Sequence, residues 1–201
     1  MKYTAHIKAA DPSGSKHRGR KWPWIWLARQ RLAAYGTTFA LIAIMAGPLL
    51  AQGRVAIVAL GASNTEGWGV SPSQAYPARL QALLVAKGIV ANVSNAGIAG
   101  DSTGGMLARL DHAVPAGTRI VILQPGTNDE RMGTGTERSA NIEKIRSRLA
   151  ARNIKLLVVE NAMLDALPRS ELRADGVHFT PAGYAILAER ILPQVLAALG
   201  Q

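Results

Sequence analysis

Short apolar runs recur along most of the chain, and segments with helical spacing separate them. The apolar runs cover residues 55–60, 89–93, 119–123 and 155–159. Runs without polar alternation are typical of strands that are buried on both faces of a parallel sheet. Apolar residues spaced three or four apart predict helices over residues 75–87, 106–112, 136–152 and 180–199. This alternation predicts an α/β fold, with a parallel sheet between two layers of helices.

The N-terminal quarter of the chain has a different pattern. Residues 1–53 hold eight Lys/Arg and one Asp, a net charge of +7 out of the total of +10. The uncharged run over residues 37–51, preceded by basic residues and ended by Ala51, is typical of a secretory signal. It predicts a leader over residues 1–52, a folded domain over residues 53–201, and export to the periplasm or the medium. An uncleaved membrane anchor and a cytoplasmic basic arm are the alternatives.

The distribution of charge also bears on partners. Residues 54–201 hold fifteen Lys/Arg and twelve Asp/Glu, a net charge of +3. The folded part is therefore only mildly positive, which argues against a nucleic-acid partner. The tryptophans at positions 22, 24 and 26 lie in the basic leader, which could associate with a membrane surface.

The loops that follow the predicted strands carry the candidate chemistry. Ser63 follows the first strand, Gly100 the second and Asn128 the third, while Asp175 and His178 precede the last helix. Ligands bind beyond the carboxyl ends of the strands in such sheets, so we expect these residues to meet at one edge. The chain has no cysteine, which excludes a thiolate metal site and a cysteine nucleophile.

These residue types suit acyl transfer. A serine hydroxyl needs a base to take its proton, and His178 can be that base. Asp175 can orient the imidazole ring and stabilise its cationic form. The N–H groups of Ser63 and Gly100 and the side-chain amide of Asn128 could stabilise the oxyanion. The sequence thus predicts Ser63, Asp175 and His178 as catalytic residues.

The four segments, in this order, resemble the four blocks of the SGNH (GDSL) hydrolase family over residues 55–199. The resemblance assigns the family's Ser, Gly, Asn and His to Ser63, Gly100, Asn128 and His178, with Asp175 completing the triad. It implies a flavodoxin-like three-layer α/β/α fold and hydrolysis of esters or thioesters without metal or cofactor. Members of the family include lipases, lysophospholipases, arylesterases and sugar deacetylases.

The sequence departs from the family at two places. Ala62 stands where the family usually has Asp, which removes a carboxylate that commonly supports the nucleophile loop. The stretch between Asn128 and His178 is short, which predicts a sheet of only four or five strands.

The expected function is therefore hydrolysis of a small carboxylic ester or thioester, with short-chain acyl, aryl or lysophospholipid-like substrates. A carbohydrate O-deacetylase and a non-catalytic, surface-anchored binding module that retains the fold are the alternatives.

Asp111 and His112 form a rival acid/base pair, for which we expect a surface role. We also expect a solvated position for Arg131 and Arg138, although either could contact an anionic head group. Trp68 could be a pocket wall or a packing residue.

Overall fold

The computed structural model describes residues 53–201, so the leader over residues 1–52 and its apolar segment 37–51 lie outside the described residues. The described part contains a parallel sheet in the order β2-β1-β3-β4. The strands are β1 (Val55–Gly61), β2 (Ala91–Gly97), β3 (Thr118–Gln124) and β4 (Lys155–Val158). Four parallel strands agree with the smaller of the two predicted sheets.

Helices connect the strands and cover both faces of the sheet. They are α1 (Ser63–Glu66), α2 (Tyr76–Ala86), α3 (Thr103–Ala108), α4 (Leu110–Ala113), α5 (Asn128–Arg131), α6 (Arg138–Ala151), α7 (Asn161–Asp165) and α8 (Pro181–Leu199). Three 3₁₀ turns occupy Pro72–Gln74, Gly135–Glu137 and Arg169–Glu171. The Thr180 hydroxyl accepts the Gly183 N–H and caps α8, as a threonine before a helix commonly does.

Successive residues of each central strand point to opposite faces of the sheet, and two apolar cores result. Ile57 of β1 and Ile122 of β3 face α2 and α8. Val58 of β1 and Val121 of β3 face α3, α4 and α6. This arrangement gives the three-layer α/β/α architecture that the sequence predicts.

The connections place the loops that matter for chemistry. From β1 the chain passes to β2 on one side of the sheet, and it later returns to β3 on the other side of β1. The strand order therefore reverses between β1 and β3, and in parallel sheets this switch point leaves a crevice beyond the strand ends. Ser63 follows β1 and Asn128 follows β3, so the two residues flank this crevice.

Two predicted elements differ from the observed ones. The second strand spans Ala91–Gly97 instead of residues 89–93, because polar residues continue it as an edge strand on which only Ala91 and Val93 are buried. The helix predicted over residues 106–112 is two short helices that meet at Arg109. In both cases the periodicity of apolar residues does not mark where backbone pairing begins and ends.

Helix α8 is long and apolar enough by composition to cross a membrane. Its apolar face, however, is part of the folded core. Tyr184, Leu187 and Ile191 are buried with Tyr76 and Leu80 of α2. In this structure α8 is accordingly a core helix of the domain.

Candidate active site

The turn from β1 into α1 presents Ser63 at the crevice. Ser63 is the first residue of α1, so its N–H has no acceptor within the helix. The Ala62 carbonyl accepts the N–H groups of Thr65 and Glu66, both at 3.0 Å. A Cβ at Gly61 would lie 2.2 Å from the Thr65 hydroxyl, so the tight turn requires glycine there.

Ser63, His178 and Asp175 form a continuous chain of hydrogen bonds. The Ser63 Oγ lies 2.9 Å from the His178 Nε2, although 115 residues separate the two in sequence. The His178 Nδ1 lies 2.8 Å from the Asp175 Oδ2. With Nδ1 protonated and donating to Asp175, Nε2 carries the lone pair that can accept the serine proton. The structure thus brings all three predicted triad residues together in the order that proton transfer requires.

Local backbone geometry keeps Asp175 ionised. Its Oδ1 accepts the backbone N–H groups of His178 and Val177, each at 2.9 Å. The His178 N–H, the His178 ring and the Val177 N–H, in that order, hold the pKa of Asp175 far below its ordinary value. The Asp175-x-x-His178 spacing therefore both orients the imidazole ring and supplies a permanent negative charge beside it.

Asn64 connects the nucleophile turn to the histidine loop, a role that the sequence analysis missed. Its amide nitrogen donates to the carbonyl of Val177, the residue before His178, at 3.2 Å. Its amide oxygen accepts the hydroxyl of Tyr184 from α8 at 3.1 Å. Burial raises the pKa of Tyr184 to about 12, so its hydroxyl remains a donor at neutral pH. The only indication of this role in the sequence was that Asn64 directly follows Ser63.

The two further oxyanion candidates lie in neighbouring loops. Asn128 is 9% exposed, and its amide nitrogen donates to the carbonyl of Asp101 at 2.8 Å, which occupies one of its two N–H groups. Gly100 directly precedes Asp101 and has a φ of +79°, a conformation that favours glycine. Asn128 shares a cavity with Ser63, whereas Gly100 does not line that cavity. The roles of Gly100 and Asn128 at an oxyanion stay predictions.

Buried polar contacts fix the loop that carries Asn128. The carboxylate of Asp129, which is fully buried, accepts the Thr103 hydroxyl at 2.5 Å and the Thr103 N–H at 3.1 Å. The Thr103 hydroxyl in turn accepts the amide of Asn141 from α6 at 3.2 Å. Asp129 therefore ties α5 to the start of α3 and supports the loop that carries Asn128.

A second polar link fixes the nucleophile turn from the opposite side. Arg109 pairs with Asp101 at 2.8 Å and donates to the Gly61 carbonyl at 3.2 Å. One guanidinium thus joins the turn before Ser63 to the loop that contains Gly100. Ala62, which stands where the family usually has Asp, is 3% exposed and packs in the core on this face of the sheet.

A cavity of about 520 Å³ opens beside Ser63. One side of it is polar and comes from the loops after β1 and β3, including Asn64 and Asn128. The other side comes from the segment between β4 and α8, and its apolar lining residues are Leu164, Leu167, Leu172, Val177 and Phe179. Its size and mixed lining suit a small organic ester.

Except for Arg131, the remaining ionisable candidates of the sequence analysis lie away from the cavity. Asp111 pairs with Arg148 and Arg152, and His112 is exposed on α4, which precedes the amino end of β3. Arg138 lies 3.9 Å from Glu130, whereas Arg131 lines the cavity. Neither Asp111 nor His112 is therefore in contact with the triad, which agrees with a surface role.

Trp68 lies next to the histidine rather than in the core. Its side chain is 52% exposed, and its ring centroid lies 5.9 Å from that of His178. The ring therefore lies close to the histidine at the surface, and Trp68 does not line the cavity beside Ser63. No three His, Asp or Glu side chains within residues 53–201 cluster as metal ligands would.

Comparisons with solved structures find the same fold. No curated protein matches the chain. The fold is similar to that of TesA (TM-score 0.63, 23% identity, covering 71% of this chain and 99% of that one). It is also similar to the psychrotrophic esterase EstA from Pseudoalteromonas sp. (TM-score 0.62, 16% identity, covering 73% of this chain and 99% of that one). The SGNH-hydrolase family esterase AlinE4 matches with a TM-score of 0.50 and 26% identity over 72% of this chain and 80% of that one.

The sequence itself decides the family. Residues 59–165 match the profile of the GDSL-like Lipase/Acylhydrolase family. These residues make up more than half of the chain. The matched region contains Ser63, Gly100 and Asn128, and the structure adds Asp175 and His178 at the same edge of the sheet. The chain belongs to the GDSL-like lipase/acylhydrolase family, whose members are also called SGNH hydrolases.

Proposed function

We propose that this protein is a serine esterase that hydrolyses small carboxylic esters or thioesters through an acyl-enzyme intermediate. The observation that carries the proposal is the unbroken contact from Ser63 Oγ to His178 Nε2 and from His178 Nδ1 to Asp175 Oδ2, at the mouth of a cavity. Membership of the family and the likeness to esterases support it.

The reaction proceeds in two halves. Ser63 Oγ attacks the carbonyl carbon of the ester as its proton passes to Nε2 of His178, and the carbonyl oxygen becomes an oxyanion. When the tetrahedral intermediate collapses, the proton on Nε2 passes to the departing alcohol or thiol, and the acyl group stays on Ser63. Water then attacks the acyl-enzyme by the same route and releases the acid and the free serine.

Preorganised donors stabilise the oxyanion in both halves. The N–H of Ser63 is unused within α1, and the second amide N–H of Asn128 is not engaged by Asp101. We assign the third donor to the N–H of Gly100. Donors of this kind act mainly in the transition state, where the negative charge develops.

Turnover of p-nitrophenyl acetate by the full chain tests the proposal. Ser63→Ala should remove nearly all activity and leave the fold unchanged by circular dichroism, because within residues 53–201 the hydroxyl has no partner other than His178. Ser147→Ala, at an exposed position of α6, is the matched control and should retain wild-type turnover. A folded Ser63→Ala protein with undiminished turnover would refute the proposal.

Turnover of further esters separates the two alternatives. A non-catalytic binding module would show no turnover of any ester in the wild-type protein. A carbohydrate O-deacetylase would release acetate from acetylated sugars faster than from simple aryl acetates, and this release would also depend on Ser63.

A further inference from the structure

Two arginines line the cavity next to the candidate nucleophile. Arg131 is the last residue of α5, three positions after Asn128. Arg169 begins the 3₁₀ turn Arg169–Glu171, which lies between α7 and α8. Two separate segments of the chain therefore each contribute an arginine to the lining of the same cavity.

The guanidinium groups of Arg131 and Arg169 differ from most others in the described part of the chain. Arg109, Arg138, Arg146, Arg148 and Arg152 pair with carboxylates. Arg173 and Arg190 donate to backbone carbonyl groups. Within residues 53–201, Arg131 and Arg169 form no ion pair and donate no side-chain hydrogen bond, so their guanidinium donors have no partner among the described residues.

The other lining residues compensate this positive charge only in part. Asp165 at the end of α7 is the single acidic residue among the described residues that line the cavity, and it pairs with neither arginine. Two positive charges thus face one negative charge. A planar guanidinium with free donors matches the geometry of a carboxylate or phosphate group.

We propose that this cavity selects esters that carry an anionic group, such as a carboxylate, and that Arg131 and Arg169 bind that group. The inference rests on the proposed esterase function and adds a substrate class to it. The apolar wall formed by Leu164, Leu167 and Phe179 receives the hydrocarbon part of the substrate, and the arginines receive its charged end. The anion can belong to the acyl part or to the alcohol part of the ester.

Paired substrates test this proposal and locate the anion. In the acyl arm, 4-nitrophenyl hydrogen succinate is compared with 4-nitrophenyl pentanoate, a neutral ester of similar length. In the alcohol arm, 3-carboxyphenyl acetate is compared with 3-carbamoylphenyl acetate. The readout in each arm is the ratio of kcat/KM for the anionic ester to kcat/KM for the neutral one, measured on the full chain.

The ratio should fall at least about tenfold in the Arg131→Gln/Arg169→Gln double variant, in one arm or the other, because each lost contact is a charge-assisted hydrogen bond. The arm that responds identifies the part of the ester that carries the anion. Arg146→Gln, on the surface of α6 and paired with Glu143, is the matched control and should leave the ratio unchanged. An unchanged ratio in both arms of the double variant would overturn the inference.

The wild-type protein gives a second readout that needs no variant. Both arginines are exposed, so added salt should screen them and lower the anionic-to-neutral ratio. A ratio that does not respond to salt in either arm contradicts the inference while the esterase function stands. Failure of the wild-type protein to hydrolyse all four esters would instead refute the esterase function, and the inference with it.

Discussion

The candidate site has two halves that are built in different ways. One half transfers protons and consists of Ser63, His178 and Asp175. It lies near the surface, and the side chain of Asp175 is 42% exposed. The half that carries Asn128 rests on Asp129, which is fully buried and bonded to Thr103. The first half is held by direct contacts between its members and by the link through Asn64, whereas the second rests on a buried polar network beneath it.

This difference predicts different consequences of mutation. Substitutions in the exposed half remove reacting groups but leave few buried polar groups without a partner. They should therefore abolish activity while the protein stays folded. Substitutions beneath Asn128 leave buried donors without partners, so they should lower stability first. Kinetic and stability measurements on variants should therefore distinguish the residues that react from the residues that support them.

The largest effect should come from the histidine. His178→Ala removes the base, and we expect kcat/KM to fall by about four orders of magnitude, as in other serine triads. His112→Ala, at an exposed position of α4, is the matched control and should be nearly silent. Steady-state kinetics with p-nitrophenyl acetate measure both. If His112→Ala proves inactive and His178→Ala active, the wrong acid/base pair has been assigned.

A smaller effect should separate Asn128 from its neighbour. Asn128→Ala should lower kcat about a hundredfold or more, on the order of 3 kcal/mol, with little change in KM, because its amide acts on the transition state. Asp129→Ala should instead cost about 2 kcal/mol of unfolding free energy, because the Thr103 hydroxyl and N–H lose their acceptor. Urea unfolding and kinetics on both variants check the distinction, which fails if Asn128→Ala leaves kcat untouched.

Much of this site could be predicted from the sequence because its members follow strands or precede a helix. Ser63, Asn128 and the Asp175-x-x-His178 spacing were all visible as polar residues beside apolar runs. Parallel strands bring their carboxyl ends to one edge, so the meeting of these residues followed from the fold class.

The supporting contacts could not be predicted in the same way. Tyr184 fits the apolar stripe of α8, and nothing in that pattern shows that its hydroxyl bonds to Asn64 across 120 residues. Arg109 looks like an ordinary helix-surface residue until the fold places it against Asp101 and Gly61. Such contacts depend on side-chain geometry between distant segments, which neither periodicity nor spacing encodes.

The link through Asn64 predicts a moderate effect. Tyr184→Phe leaves the Asn64 amide oxygen without its donor and should cost about 1 kcal/mol of stability. Because Asn64 also holds the carbonyl before His178, we expect kcat to fall severalfold while KM stays near its wild-type value. Tyr76→Phe, on the neighbouring helix α2, is a comparison for loss of a buried tyrosine hydroxyl. Equal kinetic effects of the two variants would show that Asn64 does not position the histidine loop.

The smallest effect concerns acid stability. The fold holds the pKa of Asp175 below its unfolded value of about 3.9, so the ionised carboxylate stabilises the folded state. That contribution is fully present above about pH 4 and is lost as the pH falls towards the lowered folded-state pKa. The difference in unfolding free energy between wild type and Asp175→Asn should therefore be constant near neutrality and shrink below about pH 4. A difference that stays constant from pH 7 to pH 3 would contradict this account.

The most direct test of the central claim is covalent labelling of Ser63 by a fluorophosphonate, followed by mass spectrometry of the peptides. An activated serine should take up one phosphonyl group per chain, on the peptide that contains Ser63. Labelling should disappear in His178→Ala and slow strongly in Asn128→Ala, because one variant lacks the base and the other lacks an oxyanion donor. Labelling spread over several serines, or undiminished in His178→Ala, would show that the two halves of the site do not act together on Ser63.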